Sequence, residues 1–304
     1  ISLSDVSFFN YLNVVGSSRF LDLLNIILGK GPDGAWAAIS LLSRLLYGQN
    51  EFFKEFARNI KFVVTNRELF ERESFAQMDV YRWGKLVREI IAKGYCDEEF
   101  AKNITKYIVD LVNVSEFSVQ LSFDNEAQKI LIQLIDIYPD VVWQEYLNRI
   151  EQDDINLAFR IDSLFGVQDR FKPDANVLSH IPKELYLSWL LEDQSNRIEK
   201  VIGWISLFSE GSESNDWSDE FVSLIENYVD QPEQLNALAF RLSGGGWGSY
   251  SSHLEAELNK LESLKGLVQN PVVKRWIFAR SDGIRSQIIS AKLEEKNREA
   301  SFRV

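Results

Sequence analysis

The chain has 304 residues, 45% of them apolar and 12% aromatic, with 16 Gly, 6 Pro, one Cys and a net charge of −12 (33 basic against 45 acidic residues). That is long enough to bury a core without metal or disulfide support, and too apolar for a disordered chain. The single Cys excludes an internal disulfide and a Cys-based zinc site, and the negative charge disfavours a nonspecific grip on nucleic acid or anionic lipid.

Read from the start, the chain opens on Ile1 rather than Met, which predicts processing or excision from something longer. It lacks the basic n-region and cleavage site of a signal peptide. The apolar stretch 20–28 is broken by Asp22 and Asn25, so no segment reaches the length of a membrane span. One free Cys and no export signal point to the cytoplasm.

The periodicity is helical nearly throughout. Pro32-Asp33 reads as a helix start, and Thr65 with Glu68 as a capping box. Val80, Trp83, Val87, Ile90 and Ile91 form a stripe in 76–94, and Phe100, Ile104, Tyr107, Ile108 and Leu111 form one in 97–112. Cys96 lies between them, just before a helix start, where no base is positioned to activate it. Residues 113–124 read as a break. The alternation from Phe117 to Phe123 looks like a connection between helices, and the chain's weak subdivision is placed there.

Pro139, Pro173, Pro182, Pro232 and Pro271 precede further stripes, several followed by an acid that complements the helix dipole. Gly16, Gly29, Gly48, Gly94 and Gly211 fall where stripes end. Ile198, Val201, Ile202, Ile205 and Phe208 mark a helix over 195–208, and Tyr250, Leu254, Leu258, Leu261 and Leu264 mark one over 248–267. Further breaks are expected at 166–175, 210–216 and 243–248. About 15 to 18 helices of roughly 10–20 residues follow from these signals, in a single helical domain over 1–304.

Charge is unevenly spread. Residues 183–240 hold three basic and twelve acidic residues, whereas 270–304 hold eight basic and four acidic. The acidic segment reads as a solvated face. Near the end, Lys274, Arg275, Arg280 and Arg285 interleave with Trp276, Phe278 and Ile284, a mixture able to anchor a protein partner or fringe a core helix. Beyond Lys292 an exposed helix end or tail is expected.

Chemistry is sparse. His180 and His253 show no metal spacing and no accompanying nucleophile motif. The paired acids 71/73, 98/99, 153/154, 219/220 and 294/295 look like helix-start or exposed acids. Gly244-Gly245-Gly246-Trp247-Gly248 lacks the G-K-[ST] ending of a phosphate loop and follows a helix rather than a strand. It reads as a tight turn whose Trp247 meets neighbours. Among eight tryptophans, those in stripes belong to the core, and Trp217 and Trp247, in or beside loops, are the better exposed aromatics. No cofactor and no metal are indicated.

So many helices with short connections predict an all-α chain of stacked antiparallel helix pairs, an irregular HEAT/armadillo-like solenoid. Three proline spacings of 43, 50 and 39 residues (139 to 182, 182 to 232, 232 to 271) bracket the repeat of about 40–47 residues of such proteins. A helix beginning Asn270-Pro271-Val272-Val273-Lys274-Arg275-Trp276 resembles the second-helix start of HEAT-like repeats. Tyr138-Pro139-Asp140-Val141-Val142-Trp143 is a second copy without the basic residue. The block from Gly244 through the Leu254–Leu264 stripe to Trp276 resembles the carboxy-terminal end of large bacterial multidomain proteins. Those proteins carry an NTPase or other effector module ahead of a helical-repeat sensor, several of them in antiviral defence. The resemblance covers the last 60 or so residues and implies a noncatalytic sensor or scaffold region that binds a protein. The loop-side aromatics and the basic cluster make Trp217, Trp247, Tyr250, Lys274, Arg275 and Arg280 the expected partner surface. The alternatives are a nucleic-acid-binding helical repeat, which an acidic chain disfavours, and an enzyme with an unrecognised all-α site.

Overall fold

The computed structural model describes residues 17–47, 50–66, 69, 77–110, 117–151, 161, 164–165, 177–209, 216–243 and 249–301. Among them the regular structure is helical, apart from one isolated antiparallel bridge between Phe208 and Trp217. The chain divides into two compact units, 1–164 and 165–304.

The first unit contains α1 (Ser17–Leu28), α2 (Pro32–Leu42), α3 (Asn50–Val64), α4 (Gln77–Ala92), α5 (Glu98–Asp110), α6 (Phe117–Ile135) and α7 (Pro139–Ile150), with a 3-10 turn at Ser43–Tyr47. Pro32 and Pro139 begin their helices, where a missing amide donor costs nothing, and each is followed by an acid in the first turn. Gly94, at φ 74°, ends α4 in the left-handed region.

Helices pack on their sequence neighbours and also on the next but one: α4 on α2 and on α6, and α7 on α5. The expected stripe of α4 is the buried one, with Val80, Trp83, Val87 and Ile90 at 0% exposure. Trp83 stacks on Phe123 at 5.7 Å between centroids and donates its indole N–H to the Val64 carbonyl at 2.9 Å. That bond satisfies a polar group deep in apolar surroundings and ties α4 to the end of α3. Asp97 starts α5, its carboxylate accepting the Phe100 amide at 2.8 Å and pairing with Lys61 of α3.

The second unit contains a 3-10 turn at Val177–His180, then α8 (Lys183–Glu192), α9 (Gln194–Trp204), α10 (Asp219–Tyr228), a 3-10 turn at Pro232–Leu235, α11 (Asn236–Leu242), α12 (Tyr250–Leu267) and α13 (Pro271–Ser301). α9 is central, touching α8, α10 and α11, while α12 and α13 form an antiparallel pair. Arg241, 9% exposed, caps α9 by donating Nη1 to the carbonyls of Ile202 (2.8 Å) and Ile205 (2.6 Å). Asn270 joins two helices. Its Oδ1 accepts the Val272 amide at 2.9 Å at the start of α13, and its Nδ2 donates to the Val229 carbonyl at 2.9 Å just past α10.

Several expectations need correction. Phe117–Phe123 is the first part of α6, not a connection; no Gly or Pro interrupts it, so its alternation has no turn chemistry behind it. The helix expected over 195–208 stops at Trp204, and Ile205 is extended (φ −72°, ψ 154°). Phe208 instead enters the bridge to Trp217, with the Ser209 amide on the Asp216 carbonyl at 2.8 Å. Pro182 and Pro232 do precede helices, Pro182 as the residue before α8 and Pro232 through a 3-10 turn ahead of α11. Thr65 closes α3, its hydroxyl on the Lys61 carbonyl at 2.9 Å, and Glu68 of the expected capping box lies outside the described residues. α13 runs 31 residues, well past the expected length. Among the described residues no helix is long and apolar enough to cross a membrane. Gly16, Gly48, Pro173 and Gly211 also lie outside the described residues.

Candidate functional site

α12 begins at a serine cap. Ser249 accepts the Ser252 amide at 3.2 Å, and the carboxylate of Glu295, reaching across from α13, accepts the Ser251 amide (3.1 Å) and hydroxyl (2.7 Å). Those bonds hold Glu295 below the usual carboxylate range, the Ser251 hydroxyl contributing most. They also fix the first turn of α12 against α13. From that turn Tyr250, His253, Glu257 and Lys260 follow at three- and four-residue steps, so they share one helix face.

Opposite them stand Arg280 and Gln287 of α13, two turns apart, and Leu242 and Ser243 from the end of α11. The groups enclose a cleft of about 270 Å³. Glu257 is 4% exposed, and Arg280 donates both Nε (2.9 Å) and Nη2 (2.7 Å) to its Oε1. A carboxylate so deeply buried needs such a partner, and the pair stiffens the floor of the cleft. Nε2 of His253 is buried with no hydrogen-bond partner. Tyr250 is 62% exposed at the rim. The Lys260 ammonium lies 5.0 Å from the Phe208 ring centroid.

Of the residues expected at a partner surface, the structure brings Tyr250 and Arg280 together in this cleft. Lys274 and Arg275 lie earlier on α13, where Lys274 donates to Gln269 Oε1 (2.8 Å) and Arg275 to the Pro271 carbonyl (3.3 Å). Trp217 is not an exposed aromatic. It is 6% exposed, stacks on Phe221 at 5.3 Å and donates its indole N–H to Ser263 Oγ at 2.9 Å. The Phe208–Trp217 bridge holds it inward, so a position beside a loop is also a core position. Trp247 and the rest of 244–248 lie outside the described residues.

Much of the basic character of α13 is met by acids: Arg285 pairs with Glu262 (2.6 Å) and Asp282 (2.8 Å), and Lys292 with Glu255 (2.5 Å). Ile277 is buried as core, whereas Trp276 is half-buried and Phe278 is 57% exposed. Glu257 and Gln287 were missed by sequence reasoning. The available signal was an acid lying between Leu254, Leu258 and Leu261 on an apolar stripe, where an ionised side chain requires a partner.

The other chemical candidates are weaker. His180 is exposed at its 3-10 turn. The Cys96 thiol is pushed up to about 11, first by burial and then by Asp97, which makes it a poor nucleophile near neutrality. A second cleft, of about 380 Å³, in the first unit is lined by Met78, Tyr81, Asn125, Glu126 and Lys129. There Glu126 is already bound by Arg88 (2.9 Å) and Lys129 (2.8 Å). Among the described residues no three His, Cys, Asp or Glu side chains are grouped to hold a metal ion. No protein-family model matches this chain, and comparison with curated proteins and with solved structures finds no match to it either.

Proposed function

We propose that this chain is a noncatalytic protein-binding module that seats a segment of a partner in the cleft between α11, α12 and α13. The observation that carries this reading is the cleft itself, in which Tyr250, exposed at the rim, is grouped with His253, Arg280 and Gln287. Aromatic and Arg side chains around a small cleft are the usual anchors of protein recognition. The carboxylate nearest in sequence on that face, Glu257, is engaged by Arg280, which favours a binding role over acid–base chemistry.

The finer architecture belongs to the same proposal. Helices that touch both an adjacent helix and one two away in sequence, as α2, α4 and α6 do, are what a HEAT-like stack of helix pairs requires. The resemblance of 244–276 to the ends of large bacterial effector proteins favours a sensor or scaffold region that acts within a longer cytoplasmic protein, in antiviral defence among other settings, by recognising a foreign or partner protein.

A phage-displayed peptide selection on the whole chain tests the reading. Enriched peptides are expected to lose at least tenfold in affinity against Tyr250→Ala and Gln287→Ala, both of which keep the far-UV circular dichroism of the parent. No enriched peptide, or peptides indifferent to both substitutions, would remove the reading.

A further inference from the structure

Every polar side chain lining the α11–α12–α13 cleft except Glu257 can donate a hydrogen bond. Tyr250, His253, Lys260 and Gln287 line it, and each side chain carries at least one N–H or O–H. Arg280 donates Nε and Nη2 to Glu257, and its side chain is 35% exposed. Glu257 is the one acidic lining residue, and its Oε1 already receives two of these bonds.

Counting charge with His neutral, Lys260 and Arg280 (+2) against Glu257 (−1) leaves +1. Lys260 forms no ion pair among the described residues, only its contact with the Phe208 ring. This excess stands out in a chain of net charge −12. At physiological ionic strength the distant acids are screened beyond about 8 Å, so an entering group meets the local sign.

We infer that the cleft binds a single carboxylate of a partner protein, an Asp or Glu side chain or a free chain terminus. The inference rests on the reading above that the cleft takes a protein segment. Two features favour a carboxylate over other anions. A phosphate monoester carries about −1.5 to −2 at neutral pH and overshoots the local charge. The volume, about 270 Å³, falls below the roughly 300–1,000 Å³ of small-molecule sites and suits a side chain or chain end. Arg280 and Lys260 supply the charge.

His253 and His180 are the only histidines, so a sample labelled in its imidazole rings gives two assignable sets of signals. Four probes are titrated into the whole chain: N-acetyl-glutamate N-methylamide (side-chain carboxylate), N-acetyl-glutamine (terminal carboxylate), N-acetyl-glutamine N-methylamide (neutral) and inorganic phosphate. At least one carboxylate is expected to move the His253 signals saturably and leave those of His180 in place, and which one does so identifies the source. The neutral probe and phosphate are expected to bind at least tenfold more weakly. Lys260→Met should weaken the carboxylate tenfold or more, and Lys260→Arg should restore it. A neutral probe or phosphate binding as well as the carboxylates, or neither carboxylate binding, overturns the inference. Enriched peptides without any acidic group overturn it and leave the protein-binding reading standing. Carboxylate binding with no enriched peptide removes the protein-binding reading, and the partner protein with it, and leaves a carboxylate site alone.

Discussion

The carboxylate of Glu226 accepts the backbone amides of Gln269 (2.8 Å) and Asn270 (3.0 Å), so the last turn of α10 holds the residue that starts α13. Asn270 answers through Nδ2, which donates to the carbonyls of Glu226 (3.1 Å) and Val229 (2.9 Å). Asn270→Ala removes an N-cap and these donors together. A loss of about 1–3 kcal/mol is expected, read as a lower urea midpoint with an unchanged slope. Asn270→Asp keeps the cap acceptor and loses the donors, and should fall between the two.

Gly84 of α4 meets Glu126 of α6 at a distance no other residue tolerates. A Cβ at position 84 would lie 2.6 Å from Glu126 Oε2, 2.8 Å from its Cβ and 3.1 Å from its Cγ. The nearest atom can swing away, but the Glu126 Cβ moves only with its helix. Gly84→Ala is therefore expected to destabilise by about 1–3 kcal/mol, against the helix-propensity gain of about 1 kcal/mol that Ala usually brings. Adding Glu126→Ala should relieve only part of it, because the Cβ remains. Thermal unfolding of the single and double variants decides.

Asp97 caps α5 and pairs with Lys61, and these bonds hold its carboxyl below the usual range, Lys61 contributing most and the Phe100 amide next. The folded pKa is depressed, so this stabilisation is complete above the unfolded value and lost as pH falls through the folded one. Asp97→Ala should cost about 1 kcal/mol at pH 7. The difference from the parent should shrink steadily as pH is lowered below about 4, measured by urea unfolding over that range. A constant difference would mean that ionisation of Asp97 does not matter.

Cys96 is half-buried with its thiol at about 11, raised by burial first and by Asp97 next. Alkylation by iodoacetamide in the folded state should be slow at pH 8 and still be accelerating above pH 9.5. In urea the same reaction should level off near the ordinary thiol value of about 8.5. A folded-state rate that levels at that value would contradict the burial.

The helices were legible where an apolar stripe and a Pro–acid start agreed, as at Pro32, Pro139 and Pro271. They were least legible where a long-range partner decides. Nothing local says that α9 stops at Trp204; Arg241, 37 residues on, takes the carbonyls there. Trp217 looked exposed because it follows a loop, yet its place is set by Phe208 and Ser263. The site divides similarly. Tyr250, His253 and Arg280 drew notice from their chemistry, but only the pairing of α12 with α13 shows that the three line one cleft, and that Glu257 neutralises part of it.

The α12–α13 pair carries one more consequence. Ser251–Glu295, Glu255–Lys292 and Glu262–Arg285 are rungs of one ladder, their residue numbers summing to 546 or 547. Sliding α13 by one turn would set Arg285 against Leu258 or Asn259 and Lys292 against serines, and all three rungs would be lost at once. The two exposed ion pairs, Glu255–Lys292 and Glu262–Arg285, add little stability singly. Their common spacing instead selects the register, as flanking charges do between the strands of a coiled coil. The alignment that brings Arg280 to Glu257, and with it the cleft, is thus written along the outer edge of the hairpin.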